Sequence, residues 1–201
     1  MANENVNAAP KAKIQTQRVQ NATDVRFEPL YDTVVLPASP ITSFSYRLFS
    51  SPIGGAVTAN QTNMTLAGQL PNPQAMTVNG IRAEAIVYSG ADWELLIKLL
   101  KGSYVKFFVG TKDYLEVPLS YVAGKISQKM VGSINDGTAK RFSMWLGEGS
   151  ENGCQFADNK VIQIAPQESF GIDWIGNISH TPAVATSIRF YLDGVRYVDV
   201  R

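Results

Sequence analysis

The stretch from Ser103 to Ser120, SYVKFFVGTKDYLEVPLS, constrains this chain more than any other. Val105, Phe107 and Val109 alternate with Tyr104, Lys106 and Phe108, the period of two that sends successive side chains to opposite faces of a half-buried strand. Leu115, Val117 and Leu119 repeat the alternation on the return. Gly110 between them suits the positive φ of a tight loop. With a loop of odd length, either Thr111 to Asp113 or Gly110 to Tyr114, Val109 faces Leu115, Phe107 faces Val117 and Val105 faces Leu119. An even loop would set Glu116 opposite Phe107, because a slip of one residue inverts every side chain. The expected element is a β-hairpin with one apolar face. Its other face carries Lys106, Glu116, Tyr104 and Phe108, too apolar for a bare surface, which predicts a cover.

Around this hairpin the chain reads as short strands. Tyr31 to Leu36 is a strand stopped by Pro37 and Pro40, and Phe44 to Phe49 places Phe44, Tyr46 and Leu48 on one side. Ser51 to Ala59 is a loop, with Pro52, Gly54 and Gly55, and Asn60 to Gln74 is polar, with turn signals at Gly68 and at Pro71-Asn72-Pro73. Ala75 to Ser89 is the longest strand candidate, with Asn79-Gly80 as a bulge or a tight turn within it. Arg141 to Leu146, Val161 to Ile164 and Ser169 to Ile175 are further strands, the last with Phe170, Ile172 and Trp174 on one face. The tail reads as a hairpin turning at Asp193-Gly194, which pairs Leu192 with Val195 and sets Tyr191 opposite Arg196 in a cation–π contact.

One helix interrupts the strands, at about residues 90–102. Trp93, Leu96, Ile97 and Leu100 form a single apolar stripe, Ser89 and Asp92 resemble a capping box, Glu94 and Lys98 pair four apart, and Gly102 suits the position after the helix end. Eight to ten short strands with one helix, no repeats and no βαβ alternation predict an all-β antiparallel β-sandwich, of which the jelly roll is the commonest form.

Composition narrows the function. A chain of 201 residues forms one domain, or a domain with an arm, and buries about 70% of its extended surface. The formal charge of +1 provides no global field toward nucleic acid or membrane. Charged residues make up 17%, against about 25% in ordinary soluble domains. A low-charge surface rich in Thr, Asn, Gln and Ser is what closely apposed copies tolerate; an ordinary monomeric β-protein is the plain alternative. The single cysteine, Cys154, excludes an internal disulfide, and with no basic neighbour it reads as a small buried residue. No stretch approaches the roughly 20 apolar residues of a membrane span, and the first residues lack the apolar run of a signal peptide, so the Asn21, Asn60, Asn63 and Asn177 sequons read as chance.

Signals for catalysis are sparse. His180 is the only histidine, whereas a cupin or facial-triad metal site needs two or three imidazoles. No G-x-S-x-G elbow accompanies it, and Ser179 before and Thr181-Pro182 after predict an exposed loop histidine. The Gly132 to Lys140 stretch has a phosphate-loop glycine pattern but a displaced lysine, and a strand follows it. The expectation is a protein that is not an enzyme, with no catalytic residue, no metal, no cofactor and no small-molecule substrate.

Residues 1–26 read as an arm and residues 27–201 as the single domain. The arm has no apolar period, and its Lys11, Lys13, Arg18 and Arg26 outnumber Glu4 and Asp24. It is either a disordered terminus or a mildly basic segment that orders on a neighbouring subunit or an anionic surface.

Three segments carry a family resemblance. Thr62 to Pro71, TNMTLAGQLP, followed by Ala75 to Arg82, AMTVNGIR, resembles a segment of capsid proteins from tailless icosahedral bacteriophages, where it precedes the first long strand of a viral jelly roll. Ile164 to Phe170, IAPQESF, is similar to their Pro-then-aromatic entry to a late strand. The ending from Ile188 to Arg201 resembles their last strand and its L-x-G-x-x-x-R closure, with Leu192, Gly194 and, shifted by one, Arg196 or Tyr197 in place. The likeness covers residues 30–201 in layout and, at this length, implies a single roll. It implies a virion structural protein that self-assembles into capsomers of an icosahedral shell, made in the host cytoplasm, with other copies and other capsid proteins as partners. An internal membrane or the genome would then be what the arm meets. The alternative from the sandwich alone is a receptor- or carbohydrate-binding module, spike- or lectin-like, which should show an exposed aromatic platform.

Overall fold

The computed structural model describes residues 24–54, 57–86, 93–123, 134–135, 140–141, 154–156 and 161–198. The strands are β1 Asp24–Arg26, β2 Leu30–Leu36, β3 Ile41–Leu48, β4 Ala75–Ile86, β5 Ser103–Val109, β6 Lys112–Pro118, β7 Ile134–Asn135, β8 Lys140–Arg141, β9 Cys154–Gln155, β10 Ile162–Ile164, β11 Phe170–His180 and β12 Thr186–Val198. Two helices are described, α1 Trp93–Gly102 and the one-turn α2 Leu119–Val122. Strand β1 takes Asp24, Val25 and Arg26, the last three residues of the expected arm, into the sheet.

The architecture is an all-β sandwich of two antiparallel sheets. The first runs β2–β12–β4–β10, with β1 prolonging the β2 edge along β12 and β9 lying beside β10 on β4. The second runs β3–β11–β5–β6. Following β2, β3, β4, β5, β6, β10, β11 and β12, the chain changes sheet at every step except from β5 to β6. Inward residues alternate as the sequence pattern requires: Leu36, Met76, Val78, Ile81, Ile188, Phe190 and Leu192 from one sheet meet Leu48, Val105, Phe107, Phe170, Ile172 and Trp174 from the other. Trp174 spans the layer, its ring 5.4 Å from Phe190 and 4.8 Å from Phe44. Its buried indole N–H donates to Ser103 Oγ at 2.9 Å, and that hydroxyl donates to Leu99 O at 2.7 Å. A buried indole needs such a partner, and here the partner also ties α1 to the core.

That tie sets the face of the helix. Ser103 and Leu99 are both inward and four residues apart, so at about 100° per residue Leu95 and Leu96 follow them inward and Ile97 turns out. The stripe is therefore Leu95, Leu96 and Leu99, with Leu100 half-buried, while Ile97 is 43% exposed. The expected inward position of Ile97 is corrected; the side chain of Trp93 lies outside the described residues. The Glu94–Lys98 pair is present at 2.7 Å.

The hairpin of β5 and β6 keeps its apolar face through a different register. Val109 pairs with Lys112 across a two-residue turn, Gly110-Thr111, with Gly110 at φ 61°. Tyr114 is then an extra residue on β6, and beyond this bulge Phe107 faces Leu115 and Val105 faces Val117. An even turn plus one bulged residue restores the parity of an odd loop.

The tail is not a hairpin. β12 runs straight through Asp193-Gly194, pairing β2 and then β1 on one side and β4 on the other. The bulge lies in β4, where Asn79 is passed over between Gly80 and Val78. Gly194 is required by close approach: a Cβ there would sit 2.0 Å from Thr77 O. Residues 142–146 of the strand predicted at Arg141 to Leu146 and most of the Gly132 to Lys140 stretch lie outside the described residues.

Candidate functional site

Among the described residues no group of three or more His, Cys, Asp or Glu side chains could hold a metal ion. His180 is not in an exposed loop. It ends β11, its side chain 11% exposed, with Nδ1 3.4 Å from Lys98 Nζ and 3.8 Å from Glu94 Oε1. Lys98 also donates to Ser179 O at 3.0 Å, so the cluster fastens α1 to the end of β11. Cys154 is buried beside β4, and burial pushes its thiol pKa up, away from the nucleophilic thiolate. Asp32 is the buried carboxylate, its pKa raised by desolvation. Its oxygens accept from the Thr33 and Phe49 backbone N–H groups, which holds Phe49 at φ 64°. Asp32 thus closes the turn after β3.

The outer face of the first sheet is a pinned ladder. Arg82 bonds both oxygens of Asp193, at 2.7 and 3.1 Å, and lies 4.2 Å over the Tyr191 ring. The Tyr191 hydroxyl donates to Glu84; Arg189 lies 5.2 Å over Tyr31 and donates to Thr33 Oγ1 and Asn60 O. The cation–π contact expected for Tyr191 is real, but its cation is Arg82 on β4. Arg196 instead points inward opposite Met76 and donates to Gln74 at 2.7 Å, a consequence of the straight β12 and the β4 bulge.

The outer face of the second sheet falls into rows set by register. Arg47, Asp173, Lys106 and Glu116 form one row, closed by the two bonds from Arg47 to Asp173, at 2.7 and 2.9 Å, and by Lys106 to Asp113 at 2.8 Å. Beyond it Phe108 lies over Gly171, with the Arg47 guanidinium 5.0 Å from its ring. On the other side come Ser45, Ile175 and Tyr104, then Ser43, Asn177 and Gly102. Small residues at the corners leave a depression of about 510 Å³ there. The predicted cover for Phe108 is Arg47, whereas Tyr104 stays 38% exposed.

Of the four arm residues expected to act together, Lys11, Lys13 and Arg18 lie outside the described residues. Arg26 sits on β1, pairs Arg196 across the strands, and bonds Asp24 at 2.8 Å. The flank of β12 that carries β1 and β2 also carries Val25, Val35 and Phe27, the last 82% exposed. An edge strand offers unpaired backbone groups, so this flank joins exposed apolar surface to strand-pairing capacity. No helix among the described residues is long and apolar enough to cross a membrane. Among the described residues, the fold and surface define an all-β sandwich with one pinned outer face and, on the other, a depression without charged lining. Comparison with protein-family models, with curated proteins and with solved structures found no match.

Proposed function

We propose that the chain is a virion structural protein, a single jelly-roll capsid subunit that assembles with its own copies and other capsid proteins into an icosahedral shell. The observation that carries this reading is the strand order. Four strands of the first sheet, β2–β12–β4–β10, and the four of the second, β3–β11–β5–β6, are linked so that only β5 to β6 stays within a sheet. This order supports a jelly roll, two Greek keys rolled together, an architecture that viral capsid domains share with lectins and cupins. The likeness of residues 62–71, 75–82 and 164–170 to phage capsid segments supports it, and so does the apolar flank at Val25, Phe27 and Val35.

In this reading the flank meets a neighbouring subunit. The arm before Asp24, with Lys11, Lys13 and Arg18, lies inward against a neighbour's edge or an anionic surface of lipid or genome. The experiment is sedimentation and negative-stain microscopy of the purified chain across protein concentration. Closed oligomers or shells are expected, lost in Phe27→Asp and in a chain lacking residues 1–23, both still folded. A wild-type protein that stays monomeric at every concentration, alone and with its particle's other structural proteins, would overturn the reading.

A further inference from the structure

We propose that the depression on the outer face of the second sheet is a binding site for a neutral hexopyranose. It is framed by Ser43, Ser45, Gly102, Tyr104, Ile175 and Asn177 from β3, β11 and the start of β5. Three features decide the ligand's chemistry.

The first is charge. No Asp, Glu, His, Lys or Arg lines the depression. The nearest row is charged, but Arg47 is bonded to Asp173 and Lys106 to Asp113, so an anionic ligand would find no free counter-charge, and Glu116 stands on β6, which does not line the depression. The second is the pairing of an apolar surface with polar groups that both donate and accept. Tyr104 and Ile175 sit side by side in one row and give a flat apolar strip, suited to the C–H face of a sugar ring. The hydroxyl of Ser45 ends the same row, and the hydroxyl of Ser43 and the amide of Asn177 stand in the row beside it. Sugar hydroxyls also donate and accept, so they can pair with hydroxyl and amide partners in either sense. The third is that these polar groups are unused. Among the described residues, the side chains of Ser43, Ser45, Tyr104 and Asn177 have no hydrogen-bond partner, whereas the ladder on the opposite sheet uses all of its own. A few convergent polar groups on an apolar floor are the usual make-up of a small-molecule site.

The shape is fixed by backbone constraints. A Cβ at Gly102 would meet Ile178 Cγ2 at 2.8 Å and Asn177 O at 2.9 Å, so that corner stays bare. A Cβ at Gly176 would meet the Phe44 ring at 2.3 Å, so the floor strand lies directly on the core. Both hold the site open without any ligand and without a second subunit.

The test uses the full chain and the methyl glycosides of glucose, galactose, mannose and N-acetylglucosamine, each titrated to the order of 100 mM by saturation-transfer NMR and calorimetry. A ligand of this size on a shallow site should bind with a Kd on the order of millimolar. At least one glycoside should bind saturably, with saturation strongest on the protons of one ring face. Tyr104→Ala should weaken it by about tenfold or more, and Tyr104→Phe should stay within about threefold. Asn177→Ala, on an exposed position that leaves the fold intact, should also weaken it by about tenfold, whereas Arg47→Ala should leave it unchanged. Saturable binding to none of the four, or binding that survives both Tyr104→Ala and Asn177→Ala, overturns the proposal. Saturation transfer works on monomers and shells alike, so failure of the assembly reading and failure of this site are separate results.

Discussion

The two outer faces of this sandwich rest on one core and are built on opposite rules. On the first sheet Arg82, Asp193, Tyr191, Glu84, Arg189 and Tyr31 engage one another across β2, β12 and β4. On the second sheet the Arg47–Asp173–Lys106 row is similarly closed, yet the adjoining Ser45–Ile175–Tyr104 row has no such contacts. A satisfied polar group must break bonds before it binds anything else, and leaving one unsatisfied in a buried contact is costly. The ladder therefore contributes to folding and offers little to a ligand. The open rows contribute little to folding and can gain most by binding.

The strongest way to break this contrast is to damage the core that both faces share. Phe107 is fully buried opposite Leu115. Phe107→Ala should cost about 3–5 kcal/mol. In a urea titration, tryptophan fluorescence and backbone circular dichroism should lose their signals together, as one cooperative unit requires. Two separated transitions, or a loss below about 1 kcal/mol, would show that the sheets do not depend on a common layer.

Next in size is the ladder itself. Arg82→Ala removes two bonds to Asp193 and the contact with the Tyr191 ring, and should cost about 1–2 kcal/mol. Arg47→Ala removes a pair of similar geometry from the other sheet, but Arg47 is largely solvent-exposed, so its cost should be about 0.5 kcal/mol. Equal midpoint shifts in denaturant would erase the distinction between the faces.

These contrasts were only partly legible in the sequence. The alternation in Ser103 to Ser120 reports parity, and the inward faces of β5 and β6 were readable from it. Register was not, because a two-residue turn with a bulge at Tyr114 gives the same parity as a three-residue loop. Asp193-Gly194 is the reverse case. The dipeptide favours a hairpin locally, but a straight β12 gains partners along both edges and brings Gly194 within 2.0 Å, in Cβ terms, of Thr77 O. The glycine serves close packing, not a turn. Tyr191 was recognised as a cation–π partner, but Arg82 is more than a hundred residues away in the chain, and only sheet order brings it near. The depression was invisible for the same reason: its rows join three strands, and Ser43, Ser45 and Gly102 are unremarkable until they stand side by side.

Strand β2 supplies Tyr31 and Thr33 to the ladder and, between them, turns Asp32 inward. Burial lifts the Asp32 pKa above its ordinary 3.8, so the folded protein holds this proton more tightly than the unfolded chain. Its contribution to stability is fully present below the ordinary value and is lost as pH rises through the folded value. Compared with Asp32→Asn, the wild type should gain stability as pH falls from about 7 toward about 4. Urea midpoints of the two proteins at matched pH check the sign; a wild type that loses ground on acidification would mean that the bonds from Phe49 and Thr33 outweigh desolvation.

The smallest expected effect separates the two faces most sharply, because it compares one residue type on both. Tyr191 is half-buried, its hydroxyl donates to Glu84, and Arg82 covers its ring. Tyr191→Phe deletes only the hydroxyl, yet it leaves a carboxylate without its donor and should cost about 1 kcal/mol. Tyr104→Ala deletes a whole ring, but that ring has no hydrogen bond or ring contact among the described residues and lies at the surface. Its cost should stay within about 0.5 kcal/mol, the range of surface changes away from any cap, network or core. Removing one oxygen on the first face should therefore hurt more than removing a whole phenol ring on the second, by any probe of unfolding. If Tyr104→Ala is the more destabilising of the two, Tyr104 is part of the fold's own support, and the open rows are not free to serve a ligand.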